Sequence, residues 1–467
     1  MITITNTLSG KKEVFKPIKP GSVSLYVCGI TPYDYAHLGH GRVYVTFDVL
    51  FRLLKFLGYT VTYCRNFTDI DDKIIARAQK ECGDSHQHAC ISQKYIKTFH
   101  EDIAALNCLP PTYEPTVTNT MPEIIAFVQG LIDAGKAYVS GGDVYFEISK
   151  FPQYGRLSKH KLEDLIAGAR VEVNEKKRNP LDFALWKHAP QQEPGWDSPW
   201  GHGRPGWHIE CSAMAGKFLG ETIDMHAGGM DLIFPHHENE IAQSEGLHGK
   251  PFVNYWLHNG FVRINQEKMS KSLGNFFTLR EVFKQFDPMV VRFYLLNHQY
   301  KAPLEFSFDD LHMMQKSYQR LCKLFAAECS DFTHTNPSTN SGRAGENIFP
   351  DHGEEDSKSP SRTTTVQKML EFLLDDLNTP GMWGTVFESL PVLQKDHKEL
   401  CLVKAFIQHV LGLTLKPLPE KEIEITPEID QLIKEREQAR AAKDWKKSDE
   451  LREKLKALGY EVQDKKG

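Results

Sequence analysis

Several features that would narrow the class of protein are missing from this 467-residue sequence. Its nine cysteines are odd in number and irregularly spaced, and no two of them form a CxxC pair. This pattern favours a reduced, intracellular protein over a disulfide framework. No uncharged apolar run approaches the ~18–20 residues that span a bilayer, and the first twelve residues lack the apolar segment of a signal peptide. We therefore expect a cytoplasmic protein that does not bind membranes.

An excess of basic charge is also missing. The chain carries 56 Lys and Arg against 61 Asp and Glu, a formal net charge of −5. This balance argues against a polycation that coats DNA, but it leaves room for a local basic surface that binds RNA. We see no internal repeat, so a solenoid or propeller is not expected.

The first third of the chain contains a strand–helix–strand pattern. A short apolar run at Ser24–Cys28 is followed by a helical periodicity from about His40 to Leu57, and then by a second strand-like run at Thr60–Arg65. A further helix should begin near Asp71. Strand, helix and strand over about 40 residues form a βαβ unit, which predicts an α/β fold with a parallel sheet.

Changes in composition divide the chain further. Prolines after Pro110 interrupt the pattern, and the stretch up to Gly206 predicts a helix at Pro122–Ala134 and a hairpin at Lys136–Ile148. Residues 286–326 read as helical, and helices resume from Val366 to about Leu411. The predicted organisation is a catalytic domain at 1–114 and 206–275, a connective insertion at 115–205, a linker at 276–315, a helical bundle at 316–415 with a mobile loop at 330–362, and a small carboxyl-terminal domain at 420–467.

The tetrapeptide His37-Leu38-Gly39-His40 lies between the first predicted strand and helix. Loops at the carboxyl ends of parallel strands form the ligand crevice of α/β sheets, and a helix amino terminus attracts phosphates. Two imidazoles three residues apart could both reach a triphosphate, while a glycine lets a flat base lie against the backbone. Taken alone, two exposed histidines at a helix start are the commoner explanation.

A second candidate is the segment Lys268-Met269-Ser270-Lys271-Ser272. Two lysines in such a loop could neutralise charge on a transferring phosphate group, although a solvated basic loop is the more frequent role. Together and in this order, the two segments resemble the signature motifs of class I aminoacyl-tRNA synthetases. The resemblance implies a Rossmann-like, nucleotide-binding catalytic domain that uses ATP with Mg²⁺. It implies that His37, Gly39 and His40 contact ATP, and that Lys268 and Lys271 stabilise the reacting phosphate.

Four residues far apart in the sequence could form a metal site. Cys28 ends the first predicted strand, Cys211 ends the segment Gly206-Trp207-His208-Ile209-Glu210-Cys211, and His236 and Glu240 share one helix face. Two thiolates, an imidazole and a carboxylate make a plausible zinc set. On residue types alone, a buried hydrophobic cysteine and a surface His–Glu pair remain the commoner alternatives.

Four sequence blocks resemble those of the cysteinyl-tRNA synthetases: Tyr26–Arg42, Phe67–Lys73, Pro205–Ala213 and Gly228–Glu240. This resemblance implies one Zn²⁺ per chain, held by Cys28, Cys211, His236 and Glu240, with His237 as a weaker candidate ligand. It implies that Gly29, Thr68, Trp207 and Asp231 surround the bound cysteine or ribose. Zinc prefers a thiolate to a hydroxyl, so it would select cysteine over serine without an editing domain.

The carboxyl-terminal region is mildly basic and contains a tryptophan. Residues 431–460 contain nine Lys/Arg and six Asp/Glu together with Trp445, and the family resemblance implies a small anticodon-binding unit here.

The expected function is ligation of L-cysteine to tRNA(Cys) through cysteinyl adenylate by a monomer. One alternative is a cysteine ligase of the mycothiol-pathway type that acts on an amino sugar. Another is a non-catalytic regulator that binds tRNA or amino acid.

Overall fold

The computed structural model of the protein describes residues 1–160, 175–269, 276–326, 329, 364–418 and 427–457. The predicted mobile loop at 330–362 and Lys271 lie outside the described residues. The chain forms two compact units, Met1–Lys416 and Pro417–Gly467. Within the described residues, no helix combines the length and apolar character needed to cross a membrane.

A four-stranded parallel sheet is the centre of the first unit. Its strands are β3 (Ser22–Ile30), β4 (Thr60–Phe67), β9 (Ile223–Gly229) and β10 (Val253–Asn259), in the order β10-β9-β3-β4. The strands are buried over most of their length, which explains their nearly continuous apolar runs. The predicted Rossmann-like α/β fold with a parallel sheet is confirmed.

The helices around this sheet connect its strands. They are α1 (Leu38–Phe56), α2 (Asp72–Cys82), α3 (His88–Ala105), α5 (Trp207–Leu219) and α6 (Glu238–His248). Helix α1 begins two residues before the predicted start, because His37 caps its first turn. Helix α2 begins immediately after Asp71, whose carboxylate accepts from the Lys73 backbone N–H.

The region between the two halves of the parallel sheet contains α4 (Met121–Asp133) and a four-stranded antiparallel sheet. The strands of that sheet are β5 (Ala137–Ser140), β6 (Asp143–Phe146), β7 (Phe183–His188) and β8 (Gly203–Pro205). Strands β5 and β6 form the predicted hairpin, and Gly141 and Gly142 adopt the positive φ that its two-residue turn requires. Val144 and Trp186 from this sheet share one hydrophobic core with Ile209 and Trp256, so the antiparallel sheet packs directly on the parallel sheet and its helices.

Short strands and helices make up the rest of the first unit. The strands are β1 (Thr3–Asn6), β2 (Lys11–Val14), β11 (Val262–Ile264), β12 (Glu267–Lys268) and β13 (Leu304–Glu305). The helices are α7 (Leu279–Phe283), α8 (Pro288–Leu296), α9 (Phe308–Leu324), α10 (Thr365–Leu374), α11 (Thr379–Glu388), α12 (Leu390–Leu393) and α13 (His397–Val410). The prediction of continuous helix over residues 286–326 is wrong between α8 and α9, where Pro303 precedes the paired strand β13.

A disulfide joins Cys329, beyond the end of α9, to Cys401 in α13. The expectation of a fully reduced protein is therefore wrong for this pair. Because the two cysteines are 72 positions apart, their spacing gave no sign of the pairing.

The described part of the second unit is a pair of helices. These are α14 (Pro427–Ala441) and α15 (Trp445–Ala457), joined by a turn in which Lys443 has a positive φ. Trp445 at the start of α15 is 59% exposed, which is unusual for so large an apolar side chain.

Candidate metal and nucleotide site

A cluster of four side chains lies at the carboxyl end of β3. Potential ligand atoms of Cys28, Cys211, His236 and Glu240 all lie within 4.8 Å of one another, and all four residues are buried. Cys28 comes from β3, Cys211 from the first turns of α5, His236 from the turn that leads into α6, and Glu240 from the first turn of α6. The structure thus brings together residues that are up to 212 positions apart in the sequence.

An irregularity in β3 sets the position of Cys28. The strand pairs Val27 with Arg65 and then Ile30 with Phe67, so β3 contains one residue more than β4 between these pairs. Such a bulge re-aims the side chains beside it. The neighbouring Gly29 lies so close to Asn66 that an added Cβ would come 1.5 Å from the Asn66 carbonyl oxygen.

The spacing of the cluster fits a metal ion. His236 Nε2 lies 3.0 Å from Glu240 Oε1, and Cys28 Sγ lies 3.8 Å from the same oxygen. Ligands 2.0–2.3 Å from one zinc ion are separated by roughly 3–4 Å from one another, so little rearrangement would be required. Two thiols, an imidazole and a carboxylate are also the donor types that zinc prefers.

A second group of potential ligands overlaps the first. Cys28, His226, His237 and Glu240 also lie within 4.8 Å of one another. The first group is better suited to meet a substrate, because Cys28, Cys211 and His236 all line a cavity, whereas His226 and His237 do not. The first group also offers two sulfur donors where the second offers one, which favours a borderline-soft metal.

The electrostatics of the cluster favour a cation. A hydrogen bond from Cys28 lowers the pKa of Cys211 to about 6, while burial holds the pKa of Cys28 well above its usual value. Burial alone would lower the pKa of His236, but the negative charges of Glu240 and Cys211 raise it to about 10. Burial likewise opposes ionisation of Glu240, but the neighbouring His226 and His236 lower its pKa to about 2. A thiolate and a carboxylate therefore lie together in a buried site, an arrangement that a divalent metal would compensate.

The adjoining cavity has a volume of about 600 Å³. It is lined by every described residue that the sequence singled out as a site residue, with the exception of Glu240 and the weaker candidate His237. These lining residues are Cys28, Gly29, His37, Gly39, His40, Thr68, Trp207, Cys211, Asp231, His236 and Lys268.

Two histidines form the start of α1. His37 Nδ1 accepts from the His40 backbone N–H and His40 Nδ1 accepts from the His37 backbone N–H, each at 3.2 Å. The rings stack with their centroids 3.5 Å apart. An added Cβ on Gly39 would approach the His37 ring to 2.9 Å, so glycine leaves room for that ring. Because both Nδ1 atoms accept, the proton of each neutral ring is on Nε2.

The predicted substrate contacts have different surroundings. The Trp207 ring packs on the His236 ring with centroids 4.4 Å apart and stays 41% exposed. Thr68 lines the cavity, and its Oγ1 donates to the buried Glu210 carboxylate at 2.8 Å. The Gly29 backbone N–H donates to Asn66 Oδ1. Lys268 places its Nζ 4.2 Å from the centroid of the Phe261 ring.

Sequence reasoning missed several residues that support the cluster. His226 Nε2 lies 2.9 Å from Glu240 Oε2, and His208 Nδ1 lies 3.0 Å from His236 Nδ1. His258 contacts His237 with 2.7 Å between Nε2 and Nδ1. These three histidines contact candidate ligands or their neighbours from separate elements. Their sequence surroundings share no common pattern, so no signal in the sequence could have identified them together.

Comparisons with known proteins agree along the whole chain. Residues 14–316 match the family model described as "tRNA synthetases class I (C) catalytic domain", and residues 423–467 match "Cysteinyl-tRNA ligase anticodon binding domain". The chain is 49% identical over 479 residues to the cysteine–tRNA ligase of Geotalea uraniireducens, covering 97% of this chain and 95% of the relative. It is 45% identical over 496 residues to that of Pelobacter propionicus, covering 99% and 98%.

Solved structures of low sequence identity share the fold. A methionyl-tRNA synthetase of Mycobacterium tuberculosis bound by methionyl-adenylate matches with a TM-score of 0.57 at 13% identity, covering 86% of this chain and 93% of the other. The LeuRS of a ternary complex from Agrobacterium radiobacter matches with a TM-score of 0.58 at 12% identity, covering 87% of each.

Proposed function

This chain belongs to the cysteine–tRNA ligase family of class I aminoacyl-tRNA synthetases, and from that premise we propose how its residues carry out the reaction. The enzyme joins L-cysteine to tRNA and uses ATP. The proposal concerns the metal, the residue roles, and the parts of the chain that meet each substrate.

The cluster of Cys28, Cys211, His236 and Glu240 would hold one zinc ion per chain. Bound there, zinc would supply a Lewis acid that accepts the substrate thiolate as an additional ligand and lowers the pKa of that thiol. A serine hydroxyl is a poorer ligand for a borderline-soft metal, so the site would reject serine without editing. Three of the four proposed ligands line the cavity, which is the observation that carries this proposal.

The start of α1 would bind ATP. His37 and His40 would donate from Nε2 to phosphate oxygens, and the helix amino terminus adds backbone N–H groups and a partial positive charge. Gly39 offers a surface without a side chain, against which adenine could lie. Lys268, which lines the same cavity, would help to neutralise the phosphates together with Lys271 and bound Mg²⁺.

Adenylate formation then requires mainly orientation and charge neutralisation. A carboxylate oxygen of cysteine attacks the α-phosphorus, the bond from that phosphorus to the bridging oxygen breaks, and pyrophosphate leaves. Asp231 would provide a counter-charge to the substrate ammonium group. Trp207 would cover the bound amino acid with its exposed ring, while Gly29 and Thr68 would border the cysteine or ribose.

The second unit would bind tRNA(Cys) at its anticodon. The basic residues of α14 and α15 would contact phosphates, and the exposed ring of Trp445 could stack on a base. We further propose that the enzyme acts as a monomer in the cytoplasm, without DNA or membrane partners. The match of residues 423–467 to an anticodon-binding model disfavours an amino-sugar ligase, which would not need such a unit.

Cysteine-dependent ATP–pyrophosphate exchange tests the proposal. We expect exchange with cysteine, none with serine at equal concentration, and loss of exchange after chelation of the metal. Lys271→Ala should remove most of the exchange. Lys284→Ala, which changes an exposed lysine beyond α7, is the matched control and should exchange normally. Equal exchange with serine would contradict metal-based selection, and normal exchange by Lys271→Ala would contradict the role of that lysine.

A further inference from the structure

A buried chain of hydrogen bonds runs from the metal cluster away from the cavity. Cys28 Sγ lies 3.3 Å from His237 Nε2, and His237 Nδ1 lies 2.7 Å from His258 Nε2. His258 Nδ1 in turn lies 2.8 Å from Thr7 Oγ1. Both imidazoles are buried, with exposures of 0% and 3%, and none of His237, His258 and Thr7 lines the cavity.

The short contact between the His237 and His258 rings requires that one of them donates a hydrogen bond to the other. A nitrogen pair 2.7 Å apart can share only one proton, so one ring donates and the other accepts. His258 meets His237 with Nε2 and Thr7 with Nδ1, so one donor and one acceptor on this buried ring serve both contacts. The tautomer of one ring therefore determines the tautomer of the other.

The Cys28 end sets the direction of all three bonds. A metal-bound thiolate can only accept a hydrogen bond, so His237 must donate from Nε2 and must accept at Nδ1. His258 then carries its proton on Nε2 and accepts at Nδ1. The remaining donor is the hydroxyl of Thr7, which completes the chain.

The backbone holds Thr7 in place for this contact. Its N–H donates to the Trp256 carbonyl oxygen at 2.8 Å. The preceding Asn6 accepts from the Trp256 N–H and donates to the Asn254 carbonyl oxygen. These backbone contacts attach the polypeptide at Asn6 and Thr7 to β10, the strand that contains His258, and the Thr7 hydroxyl is directed at the His258 ring.

We propose that Thr7 is a positioning residue of the metal site: its hydroxyl fixes the tautomers of His258 and His237, so that His237 donates to the metal-bound sulfur of Cys28. This inference rests on the proposed metal site. Partners of this kind orient the ligand and tune its donor strength, and their loss typically reduces metal affinity by about 10–100-fold.

Two substitutions separate the hydroxyl from the shape of the side chain. Thr7→Val keeps the volume but removes the donor, whereas Thr7→Ser keeps the donor. Thr3→Val removes another hydroxyl of the same amino-terminal segment, one that donates to the Leu374 carbonyl oxygen and has no contact with the histidines. We expect about 10–100-fold weaker zinc binding for Thr7→Val, with near-normal binding for Thr7→Ser and Thr3→Val.

Cobalt substitution provides a readout that a purely structural role would not change. The thiolate-to-cobalt charge-transfer band should shift in Thr7→Val relative to the wild type and be restored in Thr7→Ser, while the melting temperatures of the metal-free proteins agree. An unchanged affinity and band in Thr7→Val would overturn the inference. Equal destabilisation of Thr7→Val with and without metal would also overturn it, because that result indicates packing alone. If the wild type itself binds no metal, the proposed metal site fails instead.

Discussion

Replacement of Cys211 by serine should strongly weaken metal binding. A hydrogen bond from Cys28 lowers the pKa of Cys211 to about 6, so Cys211 is the cysteine of the cluster that ionises more readily. Serine has almost the same size but stays protonated and offers a hard oxygen. The variant therefore removes one anionic ligand while disturbing the buried packing little.

The size of the effect follows from the number of ligands. Structural zinc sites contribute about 10–16 kcal/mol in total, or about 2.5–4 kcal/mol for each of four ligands. Loss of one ligand should then weaken zinc binding by roughly 10²–10³-fold. Because Cys211 and Glu240 are the two low-pKa anionic groups of the cluster, the variant also removes part of the negative charge that attracts the metal, which places the expected result toward the upper end.

Zinc affinity can be measured by competition with a chromophoric chelator. Cys64→Ser is the matched control, because Cys64 is fully buried in β4, is not part of the cluster, and has a pKa that burial raises well above its usual value. We expect Cys64→Ser to bind one zinc with normal affinity. Normal zinc affinity in Cys211→Ser would refute the assignment of this residue as a ligand.

Three further predictions concern stability. Glu238 is buried and accepts from the backbone N–H groups of Gly155, Leu157 and Ser158, so Glu238→Gln should weaken that loop by about 2 kcal/mol and speed its amide hydrogen exchange about 30-fold, with helix α4 unchanged. Burial raises the pKa of Asp102 to about 6, above its unfolded value of about 3.9, so the folded state binds the extra proton and stability falls as pH rises from about 4 to 6. The free energy of unfolding of Asp102→Asn, measured relative to that of the wild type, should therefore rise by about 1–2 kcal/mol between about pH 4 and pH 6 after allowance for solvent screening. Thermal unfolding profiles that depend on pH equally in the two proteins would count against this prediction. Reduction of the Cys329–Cys401 disulfide, which spans 72 positions, should lower the melting temperature, because the bond contributes about 4 kcal/mol in a chain-entropy treatment; Cys401→Ser should not respond to reductant.

The local patterns of the sequence were sufficient to predict the elements that carry the site. Short strand-like runs predicted β3 and β4, a helical periodicity predicted α1, and the parallel α/β fold that they imply is confirmed. The hairpin predicted at Lys136–Ile148 is confirmed as the β5–β6 pair. In each case the relevant interactions join residues close in sequence, so composition and spacing contain the information.

Long-range partners could not be predicted in the same way. Cys28 and His237 are 209 positions apart, and the contact between Thr7 and His258 spans 251 positions. A threonine after a short polar strand looks like any surface residue until β10 is placed beside it. The Cys329–Cys401 pair illustrates the same difficulty, since a pairing depends on tertiary structure that cysteine spacing does not encode.

Cobalt-substituted enzyme offers the most direct test of metal-based selection of cysteine. The protein should bind one Co²⁺ through Cys28 and Cys211 and show thiolate-to-cobalt charge transfer. Addition of L-cysteine should increase that band as a further sulfur joins the metal, while L-serine at the same concentration should leave it unchanged. An unchanged spectrum with cysteine, in cobalt enzyme that still supports cysteine-dependent ATP–pyrophosphate exchange, would contradict the claim that the metal recognises the substrate thiol.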